Sequence, residues 1–170
     1  GRVYPDLEEM SSEEKCSLEN EAFLRSFLEQ ARKVAKIASR HIGGEPSSAL
    51  IHITRPWKRS LAQAAISHIA EGENVKSFAS KLDSFSFAQG EMKGEVMTFW
   101  GKRMLPQVFK WSDEEKEIIV GDLDEGAVLN AASDFIHDEL SITSFEVETG
   151  EDDIGKSGSA MPLAPSIVYN

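Results

Sequence analysis

A chain of 170 residues that is 41% hydrophobic and 28% charged suits one domain of ordinary size with a real core, and its composition is that of a soluble globular protein. A formal net charge of −11 argues against general attraction to nucleic acid, and no apolar run approaches the roughly 20 residues that span a bilayer. A single cysteine, Cys16, excludes an internal disulfide and a cysteine-built zinc site, and it fits a reducing, cytoplasmic setting.

No cationic-then-apolar leader is visible, and the chain begins at Gly1 rather than Met, as an excised piece of a longer protein would. Charge is segregated along the sequence. Residues 1–30 hold three Lys/Arg against eight Asp/Glu, residues 31–110 thirteen against six, and residues 111–170 two against fifteen. An acidic chain with a basic middle, 31–110, has a stretch able to dock a phosphate backbone.

Residues 1–17 are polar and acidic and read as a linker or arm with room for one short helical turn; residues 18–170 read as the domain proper. From about 18 to 42, Phe23, Phe27, Ala31, Val34, Ala35, Ala38 and Ile42 recur at helical spacing until Gly43-Gly44 stops the helix. Residues 50–54 read as a strand. Pro56, tolerated at a first helical position, opens a helix over 56–71 that Gly72 ends. Further helices are expected at 73–82, 88–109 and 113–120, the second of them bent or broken at Gly94, Gly101 and Pro106. Ser112 followed by Glu115 is a capping box for the helix at 113–120.

Residues 124–140 read as one more helix, with Val128, Leu129, Ala132, Phe135, Ile136 and Leu140 on one face. Residues 143–149 alternate Phe145 and Val147 with Glu146 and Glu148, a half-exposed strand. An acidic, glycine-rich loop at 150–159 and a last short strand at 166–169 complete an α+β architecture: several helices packed on a small sheet of about three strands, with an acidic helix-strand-strand end over 111–170.

The search for catalytic chemistry finds little. His41-Ile42-Gly43-Gly44 is similar to the His-Ile-Gly-His nucleotide signature of class I aminoacyl-tRNA synthetases, but it lacks the second histidine and follows a long helix, so a glycine helix stop explains it. Lys156-Ser157-Gly158-Ser159 lacks the Gly-Lys-Ser/Thr order of a phosphate loop. His41, His52, His68 and His137 show no metal-ligand spacing, and Glu151-Asp152-Asp153 lacks the pattern of a calcium loop. No nucleophile elbow or triad is present, so no catalytic residue, metal ligand or cofactor is assigned.

What remains is a binding surface. Arg55, Lys58 and Arg59 flank Trp57, and Lys102 and Arg103 follow Trp100. Cations beside aromatic rings suit RNA, because the charges meet phosphates and a ring accepts an unstacked base. The plainer alternative packs both tryptophans in the core with the cations snorkelling over them, which still leaves those cations available to phosphate.

The order of the pieces is more specific than any one of them. A strand leads into Pro56-Trp57-Lys58; helices follow, then the alternating strand at 143–149, and then the ending Gly155-Lys156-Ser157-Gly158-Ser159-Ala160-Met161-Pro162-Leu163-Ala164-Pro165-Ser166-Ile167-Val168-Tyr169. Over residues 18–170 this resembles the C-terminal domain of leucyl-tRNA synthetase of archaeal type. That family has a Gly-Lys-Ala-Lys-like turn, an Ala-hydrophobic-Pro step, then Pro-Ala-Ile and an apolar strand at its end. The resemblance implies a domain that contacts the long variable arm of tRNA for leucine and positions it for aminoacylation. Leucine activation, ATP and Mg would belong to the remaining domains of the parent class I enzyme.

On that reading Arg55, Trp57, Lys58, Arg59, Lys102, Arg103 and Lys156 are the RNA-binding residues of a cytoplasmic, monomeric chain that uses no membrane. Gly158 stands where many relatives have a second cation, and Ala164 where Lys or Arg often precedes the last proline, so phosphate contacts are not carried over to either. The alternative from a different class is a protein-interaction module appended to a synthetase, which would use its acidic 111–170 face.

Overall fold

The structure, a computed structural model, describes residues 11–148 and 159–170. It is α+β, with helices accompanied by a three-stranded mixed sheet, and it divides into two compact units. One unit combines Gly1–Thr54 with Leu123–Asn170 and holds the sheet; the other, Arg55–Asp122, is helical among its described elements.

The sheet-bearing unit opens with α1 (Ser12–Ile42). The Ser11 hydroxyl accepts the Glu14 N–H at 3.2 Å, and Glu13 and Glu14 sit at the positive end of the helix dipole. That cap starts the helix six residues before the apolar periodicity does, so residues 12–17 continue α1 toward the N-terminus. Phe23, Phe27, Leu28 and Ala31 form its buried stripe. At the other end Gly43 takes φ 78°, a conformation L side chains resist, and Gly43 and Gly44 both donate to the Ser39 carbonyl, at 3.0 and 3.2 Å.

Strand β1 (Ser48–His52) lies between β2 (Ser144–Glu148), to which it is parallel, and β3 (Ser166–Tyr169), to which it is antiparallel. The register makes two cross-strand rows, Phe145–Ala49–Tyr169 and Val147–Ile51–Ile167. Small Ala49 sits between two aromatic rings, whereas the row through Ile51 is aliphatic throughout, and Ala49, Ile51, Ile167 and Tyr169 are all buried. A parallel pair cannot be closed by a hairpin, so everything from Ile53 to Thr143, the helical unit included, is the crossover between β1 and β2.

Residues 124–140 form two helices, α7 (Glu125–Ala131) and α8 (Ser133–Leu140), where the sequence pattern predicts one. The chain leaves helical geometry at Ala132 (φ −98°, ψ 15°), and Phe135, expected on the buried face, is 50% exposed. Apolar periodicity carries no mark of this break, since neither glycine nor proline is involved. The approach to β3 is a tight turn in which Met161 and Ala164 exchange backbone hydrogen bonds of 3.0 and 2.9 Å. Leu163 there has φ 64°, and its N–H donates to buried Glu125 at 3.2 Å.

In the helical unit, α2 (Pro56–Ala70) begins with Pro56 at a position that needs no N–H donor. α3 (Val75–Ser80) is capped by Asn74, and α6 (Asp113–Val120) by the Ser112–Glu115 capping box that the sequence predicts. Between them α4 (Met92–Phe99) runs without a gap through a π-helical turn, Trp100–Met104, into α5 (Leu105–Val108). Pro106 has no N–H to close an α-helical bond, and Leu105 instead donates five residues back to Trp100. The interruption expected around Gly101 and Pro106 is therefore a widened turn.

Candidate nucleic-acid interface

The residues singled out around Trp57 occupy the first turn of α2. Trp57 is half-buried, edge-on to Phe99 with ring centres 5.2 Å apart and 6.2 Å from Phe87. Lys58 is only 3% exposed, and its ammonium lies 4.7 Å from the centre of the Phe99 ring and 5.5 Å from that of Trp57. Trp100 is 5% exposed and packs on Phe78 at 4.7 Å. Rings continue from there through Phe85 and Phe87 back to Trp57, so both tryptophans belong to one aromatic cluster in the core of this unit.

The cations divide by accessibility. Arg59 is half-buried and donates to the Gly121 carbonyl at 3.0 Å, while Gln63, one turn later, donates to Ile119 O at 2.9 Å. These are the last carbonyls of α6, which lack helical partners, and a cation there meets the negative end of the dipole. Arg55 is half-buried at the N-cap of α2. Lys102 and Arg103 are exposed on the π-helical turn. Lys156 and the acidic triplet 151–153 lie outside the described residues.

A buried stripe at Trp100, Met104, Val108 and Trp111 fixes the inward side of this helical run. Lys102, Arg103, Pro106, Phe109 and Lys110 are all exposed on the opposite side. Phe109, at 63% the most exposed large hydrophobic among the described residues, is an aromatic that reading cations next to tryptophans overlooks. Its signal was present in the sequence, because Val108 and Trp111 at stripe spacing turn 109 and 110 outward.

The fold also redistributes charge. The helical unit contains ten Lys/Arg and ten Asp/Glu, and the full sequence of the sheet-bearing unit eight and nineteen. The basic stretch 31–110 is thus divided: Arg32, Lys33, Lys36 and Arg40 lie on α1, while Asp113, Glu114, Glu115 and Glu117 of α6 fold with the other cations.

His68 is buried with Nε2 3.2 Å from Asn74 O, 2.9 Å from Ser77 Oγ and 3.2 Å from Glu73 Oε2, which marks that nitrogen as the protonated one. His52 Nδ1 faces Glu148 Oε2 at 3.7 Å across β1 and β2. Among the described residues no three His, Cys, Asp or Glu are grouped to hold a metal, and no helix is long and apolar enough to cross a membrane. A cavity of about 450 Å³ lies in the sheet-bearing unit between Gln30 and Val34 of α1 and Ser159 and residues 164–167; its lining has no titratable side chain.

Comparison with protein-family models finds no match to this chain, and comparison with curated proteins finds none either.

Proposed function

We propose that this chain is the tRNA-binding C-terminal domain of a leucyl-tRNA synthetase of archaeal type, which holds the long variable arm of tRNA for leucine. The observation that carries the reading is the order of its pieces: β1 into Pro56-Trp57-Lys58, the helical unit, α7 and α8, β2, and the Gly155–Tyr169 ending. Exposed Lys102 and Arg103 support it as phosphate contacts, with Arg55 at the start of α2; Lys156, outside the described residues, joins them on the sequence resemblance alone. Trp57, Lys58 and Arg59 serve chiefly to build the surface that presents the others. Binding energy gained on the arm is used for positioning, by orienting the acceptor end toward a catalytic site elsewhere in the parent enzyme. ATP, Mg and the cytoplasmic ligase activity go with that parent, and the fragment works as a monomer.

The test is a titration of the 170-residue chain with tRNA for leucine and with the same tRNA carrying a shortened arm, at low and moderate salt. Tighter binding of the long arm, weakening as salt rises, is expected. Equal affinity for both RNAs reduces the cations to non-specific attraction. The acidity of the sheet-bearing unit favours one second reading, a module that binds a basic protein, and absence of RNA binding would direct attention there.

A further inference from the structure

Phe109 and Lys110 form a turn held at both ends: Val108 and Trp111 are buried, and Lys110 and Trp111 donate to the Gln107 carbonyl at 2.9 and 3.1 Å. The phenyl ring is therefore held out by its buried neighbours rather than left on a loose end. An exposed phenylalanine forgoes the stabilisation that burial would give it, and single exposed apolar residues are ordinary on protein surfaces. What distinguishes this ring is its company. Lys110 is adjacent, and Lys102 and Arg103 lie on the same exposed side seven and six residues earlier, about two helical turns away. Phe135 is similarly exposed, but its helical neighbours are Asp134, Asp138 and Glu139, which would repel a phosphate.

We propose that Phe109 is a stacking platform for an unpaired RNA base, with Lys102, Arg103 and Lys110 meeting the adjoining phosphates. The inference rests on the RNA-binding reading above and deepens it by naming the ring that meets a base. A ring supplies affinity that is insensitive to salt and tolerant of sequence, whereas the cations supply the salt-dependent part. The two contributions are separable in one titration.

The experiment uses the 170-residue chain, a labelled single-stranded RNA and tRNA for leucine at several salt concentrations. Phe109→Ala should weaken binding about 5- to 150-fold while leaving the salt slope unchanged. Phe109→Trp should retain affinity, and its added emission should be quenched on RNA binding. Lys102→Ala with Lys110→Ala should instead flatten the slope of log K against log salt, by about 0.7 per lost contact to a single strand. Unchanged affinity of Phe109→Ala, with the parent chain binding RNA, overturns the stacking site and leaves the RNA-binding reading standing. Failure of the parent chain to bind either RNA overturns both. Dispersal of a self-associated species by Phe109→Ala, with RNA affinity unaltered, assigns the ring to a protein contact and also overturns stacking.

Discussion

Lys58 and Tyr169 are polar groups whose surroundings decide their use. The Lys58 stem is buried and its ammonium faces the Phe99 and Trp57 rings. Removing the buried methylenes and the cation–π contact predicts a loss of about 2–4 kcal/mol for Lys58→Ala, and a smaller loss for Lys58→Met, which keeps the stem. Chemical denaturation measures both. The salt slope of RNA binding should not change in either variant, and a decrease of about one contact would put this ammonium on a phosphate after all. Tyr169 donates its hydroxyl to Ala31 O at 2.8 Å, and burial pushes its phenol from 10.0 up to about 12. A raised folded-state value favours the neutral phenol, so the associated stability is intact below pH 10 and declines as pH rises through about 12. Tyr169→Phe should be less stable by about 1 kcal/mol at neutral pH, and the gap to the parent chain should narrow from pH 10 upward; a constant gap would show that the phenol does not titrate with folding. At this scale the sequence identifies which residues are chemically able to bind RNA but not which are displayed. Trp57 and Phe109 both have cationic neighbours, and packing against Phe87 and Phe99 leaves the first half-buried while the second stays exposed.

Element ends are where local sequence speaks most clearly. Gly43, Pro56 and the Ser112–Glu115 box each act within one helical turn, so their effects were legible without knowledge of the fold. The break at Ala132 and the pairing order β2-β1-β3 were not, because they depend on partners far away in sequence. The C-terminal end of α6 belongs to this second kind, since its carbonyls are closed by Arg59 and Gln63, which come from α2 more than fifty residues earlier. Arg59→Ala should cost about 1.5–3 kcal/mol, the range for a hydrogen bond to a charged group, and Gln63→Ala about 1 kcal/mol. The double variant should depart from additivity because both side chains serve one helix end. Hydrogen exchange in the last turn of α6 should quicken in each. Unaltered stability in Arg59→Ala, together with a shallower salt slope for RNA, would reassign Arg59 from helix cap to phosphate contact.

For the whole molecule, what counts is how the two units divide the charge. A helical unit with equal numbers of acids and bases has no net attraction for RNA, so the proposed RNA binding would depend on local grouping of cations, such as Lys102, Arg103 and Lys110, against a chain of net charge −11. Surface carboxylates on the other unit then act through the long-range field, which is screened over about 10 Å at 0.1 M salt and much further at lower ionic strength. The triple variant Asp134→Asn, Asp138→Asn, Glu146→Gln removes three exposed negative charges without touching a buried contact. If RNA is the partner, this variant should bind tRNA more tightly at about 0.01 M salt, and the gain should vanish by about 0.3 M, where the Debye length has shortened to a few ångströms. If a basic protein is the partner, the same substitutions should leave RNA affinity unchanged and weaken binding of an oligolysine peptide. Titrating one variant with both probes therefore distinguishes a carboxylate surface that only discourages RNA from one that recruits a cation-rich partner.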